Sequence, residues 1–165
     1  MQTQLIKTAS SWDSFKSTLI AILGEFHPRT VMEYGPGVST LIMQDFPSVE
    51  YIKTVEHDIA WFNKWKNQVG SKVDLILEED FNKYPYLLDK EYELYFIDGR
   101  EREKCLELCN LPTGIVILHD AERPSYKPYI DKFEYIFMED DGHTAVLTNN
   151  KEYAQRMEKI FWEKE

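Results

Sequence analysis

A carboxylate, two glycines and two hydroxyls stand together in Glu33-Tyr34-Gly35-Pro36-Gly37-Val38-Ser39-Thr40, directly after the apolar run Thr30 to Tyr34. A Gly-x-Gly turn between a strand and a helix lets backbone come close to a ligand, although the same turn also serves as a bare connection. Glu56 falls 19 residues after Gly37, at the end of the run Tyr51 to Glu56 and just before His57. That is close to the ~20-residue spacing at which an acidic residue meets the paired hydroxyls of a ribose. A solvated strand end is the plainer alternative for Glu56. Further on, Glu78-Glu79-Asp80-Phe81, Tyr95-Phe96-Ile97-Asp98-Gly99-Arg100 and Ile117-Leu118-His119-Asp120-Ala121-Glu122-Arg123 each place polar groups where an apolar run stops. Open α/β sheets bind their ligands at such carboxyl ends, and Asp120 could equally be a helix N-cap.

Charge decides which ligand suits the first turn. Glu33 two residues before Gly35 would repel the pyrophosphate of a dinucleotide and favour the ammonium and sulfonium of S-adenosylmethionine, which carries no phosphate. Thr40 also stands where the dinucleotide fingerprint needs a third glycine. With those residues in view, Glu33-x-Gly35-x-Gly37-x-Ser39 resembles motif I of the class I S-adenosylmethionine-dependent methyltransferases, with Ser39 in place of the motif's last glycine. The resemblance implies a Rossmann-like fold. It further implies that Gly35 and Gly37 lie under the methionine moiety, that Glu33 reaches its ammonium, and that Ser39 adds a hydroxyl at the carboxylate end. It assigns Glu56 to the ribose with His57 flanking the adenosine, Asp80 to the adenine amine, and Phe81 to the adenine ring.

Phe96-Ile97-Asp98-Gly99 and His119-Asp120 are similar to a branch of that family that includes divalent-metal-dependent O-methyltransferases, where acids ending the fourth and fifth strands hold the ion. Asp98 and Asp120 occupy comparable places, but Ala121 follows Asp120 in place of a carboxamide or second acid. Two carboxylates alone rarely make a Mg²⁺ cage, so a divalent metal is not favoured. The run from Asp98 to Cys105 together with His119 to Tyr126 is also similar to small methyltransferase-like proteins of unassigned substrate. Transfer from a sulfonium needs alignment and a dry site, and a base only for the acceptor. His119 or Asp98 is the expected base, Asp120 the orienting acid, and Arg100 or Arg123 the anchor for an anionic group of a small-molecule hydroxyl or amine acceptor. A binding module that keeps the cofactor pocket without methyl transfer, or another reaction on the same cofactor, is the alternative.

The elements that must position these groups alternate. Strand candidates run from Thr30 to Tyr34, Tyr51 to Glu56, Val73 to Leu77, Leu94 to Ile97, Ile115 to His119, Glu134 to Met138 and Thr144 to Leu147, with helical periods between the first five. The expected fold is α/β: a Rossmann-like, seven-stranded, mostly parallel sheet with helices on both faces. Asp141-Gly142 between the last two strands predicts an antiparallel C-terminal hairpin. Phe15, Leu19, Ile22, Leu23 and Phe26 mark a leading helix that Ser10, Ser11 or Asp13 would cap. Tyr153, Met157, Ile160 and Phe161 mark a closing helix capped by Asn149 or Asn150.

The 165 residues suit one domain over 1–165, and 43% hydrophobic residues can build its core. A net charge of -10 disfavours nucleic acid and anionic membrane as partners. Cys105 and Cys109, four apart on a helical segment, read as core residues. With no apolar run long enough to span a bilayer and no signal-peptide pattern, a cytoplasmic location is expected. So short a chain leaves no inserted cap over an acceptor, so a neighbouring subunit is a candidate to complete the pocket, with Trp61 to Trp65 or Phe161-Trp162 at the contact.

Overall fold

The computed structural model describes residues 3–6, 14–139 and 142–162. Eight strands form one sheet: β1 (Thr3–Ile6), β2 (Thr30–Tyr34), β3 (Tyr51–Glu56), β4 (Val73–Leu77), β5 (Leu94–Ile97), β6 (Ile115–His119), β7 (Tyr135–Glu139) and β8 (Thr144–Thr148). Their order is β1-β7-β8-β6-β5-β2-β3-β4. Five of the seven strand pairings run parallel, and β8 alone is antiparallel, to its neighbours β6 and β7. Seven strands follow the expected Rossmann-like plan with its antiparallel hairpin, and β7 begins one residue later than the expected Glu134. Gly142 turns this hairpin at φ +76 and donates to the Glu139 carbonyl, while Asp141 lies outside the described residues.

The eighth strand is a correction. No strand was expected before Thr30, yet Thr3–Ile6 adds to the free edge of β7, with Thr3 opposite Ile136 and Ile6 opposite Glu139. Four residues carry too little periodicity to reveal a strand, and an unpaired edge supplies the donors and acceptors that recruit one.

Helices α1 (Ser14–Phe26), α2 (Val38–Asp45), α3 (Ile59–Trp65), α4 (Arg102–Cys109), α5 (Lys127–Ile130) and α6 (Lys151–Trp162) connect or flank these strands. The strands are buried on both sides, so alternate residues feed two cores. Val31, Leu94, Phe96, Ile117 and Val146 meet Leu19, Leu23, Met43 and Met157 from α1, α2 and α6. Met32, Tyr34, Ile97 and Leu118 meet Cys105, Leu106, Cys109 and Ile130 from α4 and α5 on the other face. Both cysteines are buried and unpaired, as core residues. Asn150 caps α6 by accepting from the Tyr153 amide at 3.1 Å, whereas the cap candidates Ser10, Ser11 and Asp13 of α1 lie outside the described residues. Among the described residues, no helix is long and apolar enough to cross a membrane.

Strand order sets the position of the site. From β2 the chain builds outward through β3 and β4, then returns to place β5 and β6 on the opposite side of β2. The switch point lies at the carboxyl ends of β2 and β5, the place where open α/β sheets bind their ligands.

Candidate functional site

Gly35 and Gly99 meet at the switch point. A Cβ on Gly35 would stand 2.9 Å from the backbone of Gly99, and Gly35 has φ +92. A Cβ on Gly99 would lie 3.0 Å from the Tyr34 carbonyl and collide with the Tyr84 hydroxyl. Both positions therefore need glycine, one for conformation and both for space. The loop that follows is closed by Thr40, whose hydroxyl accepts from the Gly37 amide at 3.0 Å and donates to Glu33 Oε2 at 2.6 Å. Ser39 donates to the other oxygen, Oε1, also at 2.6 Å.

Glu33 is thus completely buried, with each oxygen held by a hydroxyl of α2. Burial pushes its carboxyl up to about 7, outweighing the two hydroxyl bonds that favour the charged form. In the structure it ties the start of α2 to β2, and Ser39, itself buried, is joined to it.

At the end of β3, Glu56 Oε1 takes the His57 and Asp58 amides at 2.7 Å each, and His57 Nδ1 lies 2.8 Å away. All three of these contacts fall on Oε1 of the buried Glu56. The His57 ring stands 5.4 Å from that of Phe81, and Arg100 Nε lies 3.4 Å from His57 Nε2. Phe81 is 45% exposed, a ring held at the surface by its neighbour and not by the core. Asp80 caps its own turn, accepting from the Asn82 amide at 2.9 Å. Trp61 was a candidate for a subunit contact. Its indole donates to the Pro36 carbonyl at 2.8 Å, with the residue 41% exposed.

The ends of β5 and β6 hold the third group. His119 Nδ1 lies 3.0 Å from Asp98 Oδ1 and 3.5 Å from Asp120 Oδ1. An imidazole nitrogen facing carboxylates carries its proton there, so Nε2 is the basic nitrogen. The hydrogen bond to Asp98 raises the His119 pKa above its ordinary 6.5, against the opposing effect of burial. Burial would raise Asp120, but the charges of His119, Arg102 and Arg123 hold it below the usual carboxylate range. Asp120 sits at φ +54, a left-handed conformation that aspartate tolerates better than most residues.

Arg102 binds this group together, and the sequence reading did not single it out. Its side chain is only 9% exposed. The guanidinium donates to the Asp98 and Asp120 carboxylates, both at 3.1 Å, and to the backbone carbonyls of Asp98, Gly99 and His119. A signal was available: Arg102 shares the helical spacing of Cys105, Leu106 and Cys109, and is the one cation on that buried stripe. The two arginines expected to anchor an acceptor stand apart in role. Arg100 adjoins His57, while Arg123 reaches Asp120 at 3.0 Å. A cavity of about 280 Å³ is lined by Ala121, Arg123, Ile130, Ile136 and Met138, and the His119 ring meets Phe15 of α1 edge-on at 5.3 Å.

No family model and no curated protein matches the sequence. Solved structures do. A methyltransferase-like protein from Silicibacter pomeroyi is similar over 95% of this chain and 98% of its own, at 15% identity and a TM-score of 0.69. The O-methyltransferase from Bacillus cereus in complex with SAH is similar over 85% of this chain and 83% of its own, at 12% identity and a TM-score of 0.61. The strand order without β1 is the methyltransferase order. This chain has the Rossmann-like methyltransferase fold. The same fold carries spermidine synthase from Thermotoga maritima, similar over 92% of this chain but 65% of its own, at 14% identity and a TM-score of 0.63. The Gly35 loop, the Glu56 to Phe81 segment and the His119 group all follow the carboxyl ends of parallel strands.

Proposed function

We propose that this protein is an S-adenosylmethionine-dependent methyltransferase acting on a hydroxyl or amine of a small molecule. One juxtaposition carries the reading: a wall suited to adenosine (Glu56, His57, Phe81) and a base with its orienting acids (Asp98, His119, Asp120) flank the Gly35 to Gly99 contact. A carboxylate and exposed rings fit a ribose and an adenine. Several solved proteins of this fold, among them the Bacillus cereus enzyme with SAH, support the same cofactor class.

The residues divide the labour. Gly35 and Gly37 let the backbone approach the methionine part of the donor, and Glu33 with Ser39 and Thr40 keeps that loop rigid. The donor supplies an electrophilic methyl on a sulfonium, whose C–S bond breaks with its electron pair going to sulfur. His119 Nε2 takes the acceptor's proton as the new O–C or N–C bond forms. Asp98 on Nδ1 stabilises the imidazolium, a modest general-base contribution of about 10²–10⁴-fold. Arg100 beside His57, or Arg123 beside Asp120, is placed to meet an anionic group of the acceptor.

Calorimetry with S-adenosylmethionine, S-adenosylhomocysteine and NAD tests the cofactor, with Glu56→Ala as the control that should weaken the first two. A donor-consumption screen across sugars, phenols and amines then tests the reaction. S-adenosylhomocysteine as product supports methyl transfer, methylthioadenosine indicates transfer of another group, and tight binding without turnover indicates a sensor or assembly module. Uptake of NAD with neglect of the sulfonium donor would overturn the proposal.

A further inference from the structure

Asp98, His119 and Asp120 place their ligand atoms within 4.8 Å of one another, close enough to hold a divalent ion. Two carboxylates and an imidazole are suitable donors for Mn²⁺, Fe²⁺ or Zn²⁺. One oxygen of each carboxylate is nevertheless engaged by arginine. Asp98 Oδ1 takes His119 Nδ1 and Arg102 Nη2, and Asp120 Oδ2 takes Arg102 Nη1 and Arg123 Nη2. Arg102 is no swinging surface side chain, because three of its five hydrogen bonds go to backbone carbonyls at the ends of β5 and β6. A divalent ion would have to displace this buried guanidinium or sit against it, and Arg102 cannot shed its proton to make room.

We propose that Arg102 is the resident cation of this site, a tethered guanidinium that fills the charge position between the β5 and β6 carboxylates and excludes a divalent ion. It is a positioning residue: by gripping Asp98 through both its carboxylate and its carbonyl, it fixes the acid that sets the His119 tautomer. The two carboxylates against Arg102 and Arg123 also leave no net negative charge to attract a metal. Where the methyltransferase reading holds, this narrows the acceptor. It presents a single nucleophilic nitrogen or oxygen to His119 and not a chelating pair of oxygens, since a site filled by the Arg102 guanidinium offers no metal to bind the pair and lower their pKa.

The test uses Mn²⁺ alone as probe, following the free-ion signal by electron paramagnetic resonance with the full chain. Wild type and Arg102→Lys should leave that signal unchanged, and Arg102→Met, which keeps the carboxylates and loses the charge, should bind Mn²⁺ at least tenfold more tightly. Uptake of one Mn²⁺ per wild-type chain, abolished by Asp98→Asn, overturns the proposal even if Arg102→Met does not fold. Nitrogen-15 NMR reads the positioning role: His119 should hold its proton on Nδ1 in wild type and Arg102→Lys, and become a tautomer mixture in Arg102→Met. An unchanged tautomer in a folded Arg102→Met also overturns it. Neither measurement uses the sulfonium donor, so failure here and failure of the methyltransferase reading in calorimetry are separate results.

Discussion

At the residue scale, the chemistry rests on groups whose protons are shifted by their neighbours. A raised His119 pKa means that the imidazole is charged at pH values where an ordinary histidine has become neutral, so a base at this position works only as pH climbs further. The acidic limb of kcat/KM should therefore lie above 6.5, and Asp98→Asn should move it down by removing the largest cause. His119→Ala should lower kcat by about 10²–10⁴-fold with little change in S-adenosylhomocysteine affinity, as single-turnover kinetics and calorimetry would show. Glu33 behaves in the opposite sense to most carboxylates. Its folded pKa is about 7 against 4.5, so the native state holds the proton more tightly than the unfolded chain. Its contribution is complete below about 4.5 and is lost as pH rises through 7. Glu33→Gln does not titrate, so its stability relative to wild type should increase by about 1–3 kcal/mol from pH 4.5 to pH 8, measured by urea unfolding. A constant difference across that range would refute the buried-acid assignment.

At the scale of elements, the loop between β2 and α2 is where a small change should cost most. Gly35→Ala adds a methyl 2.9 Å from the Gly99 backbone at a residue with φ +92, and neither strand can retreat without breaking the β2–β5 ladder. A loss of about 2–4 kcal/mol from strain and overpacking is expected in thermal melts, together with loss of donor binding. Thr40 was legible in the sequence only as a departure from the dinucleotide fingerprint. Its use became visible once the loop was folded, because closing Gly37 onto Glu33 needs one hydroxyl to accept and donate at once. Trp61 likewise read as helical core packing or a subunit contact, and only the approach of α3 to the glycine loop shows its indole on the Pro36 carbonyl. Arg102 lay within a charged run, Arg100 to Lys104, whose members differ by helical phase and not by type.

For the whole molecule, the two cores have separate tasks. Met157 of α6 is fully buried against the α1 and α2 side, distant in the chain from every site residue. Met157→Ala should destabilise the protein by about 2–5 kcal/mol while the folded fraction keeps wild-type affinity for S-adenosylhomocysteine, a contrast that unfolding and calorimetry can check together. The presence of seven strands, the antiparallel hairpin, and the polar groups at the strand ends were set by local patterns: periods of two and 3.6, a turn dipeptide, and fixed spacings along one chain. Such patterns act over a few residues, so they survive in the sequence alone. Tertiary structure decided what depends on partners far apart in the chain. It recruited Thr3–Ile6 to an edge 133 positions away, sealed Glu33 beneath its own helix, and drew Arg102 into the space between two strand ends. Those outcomes turn on which strands become neighbours and how much water is expelled between them, and neither burial nor desolvation exists until the sheet has closed.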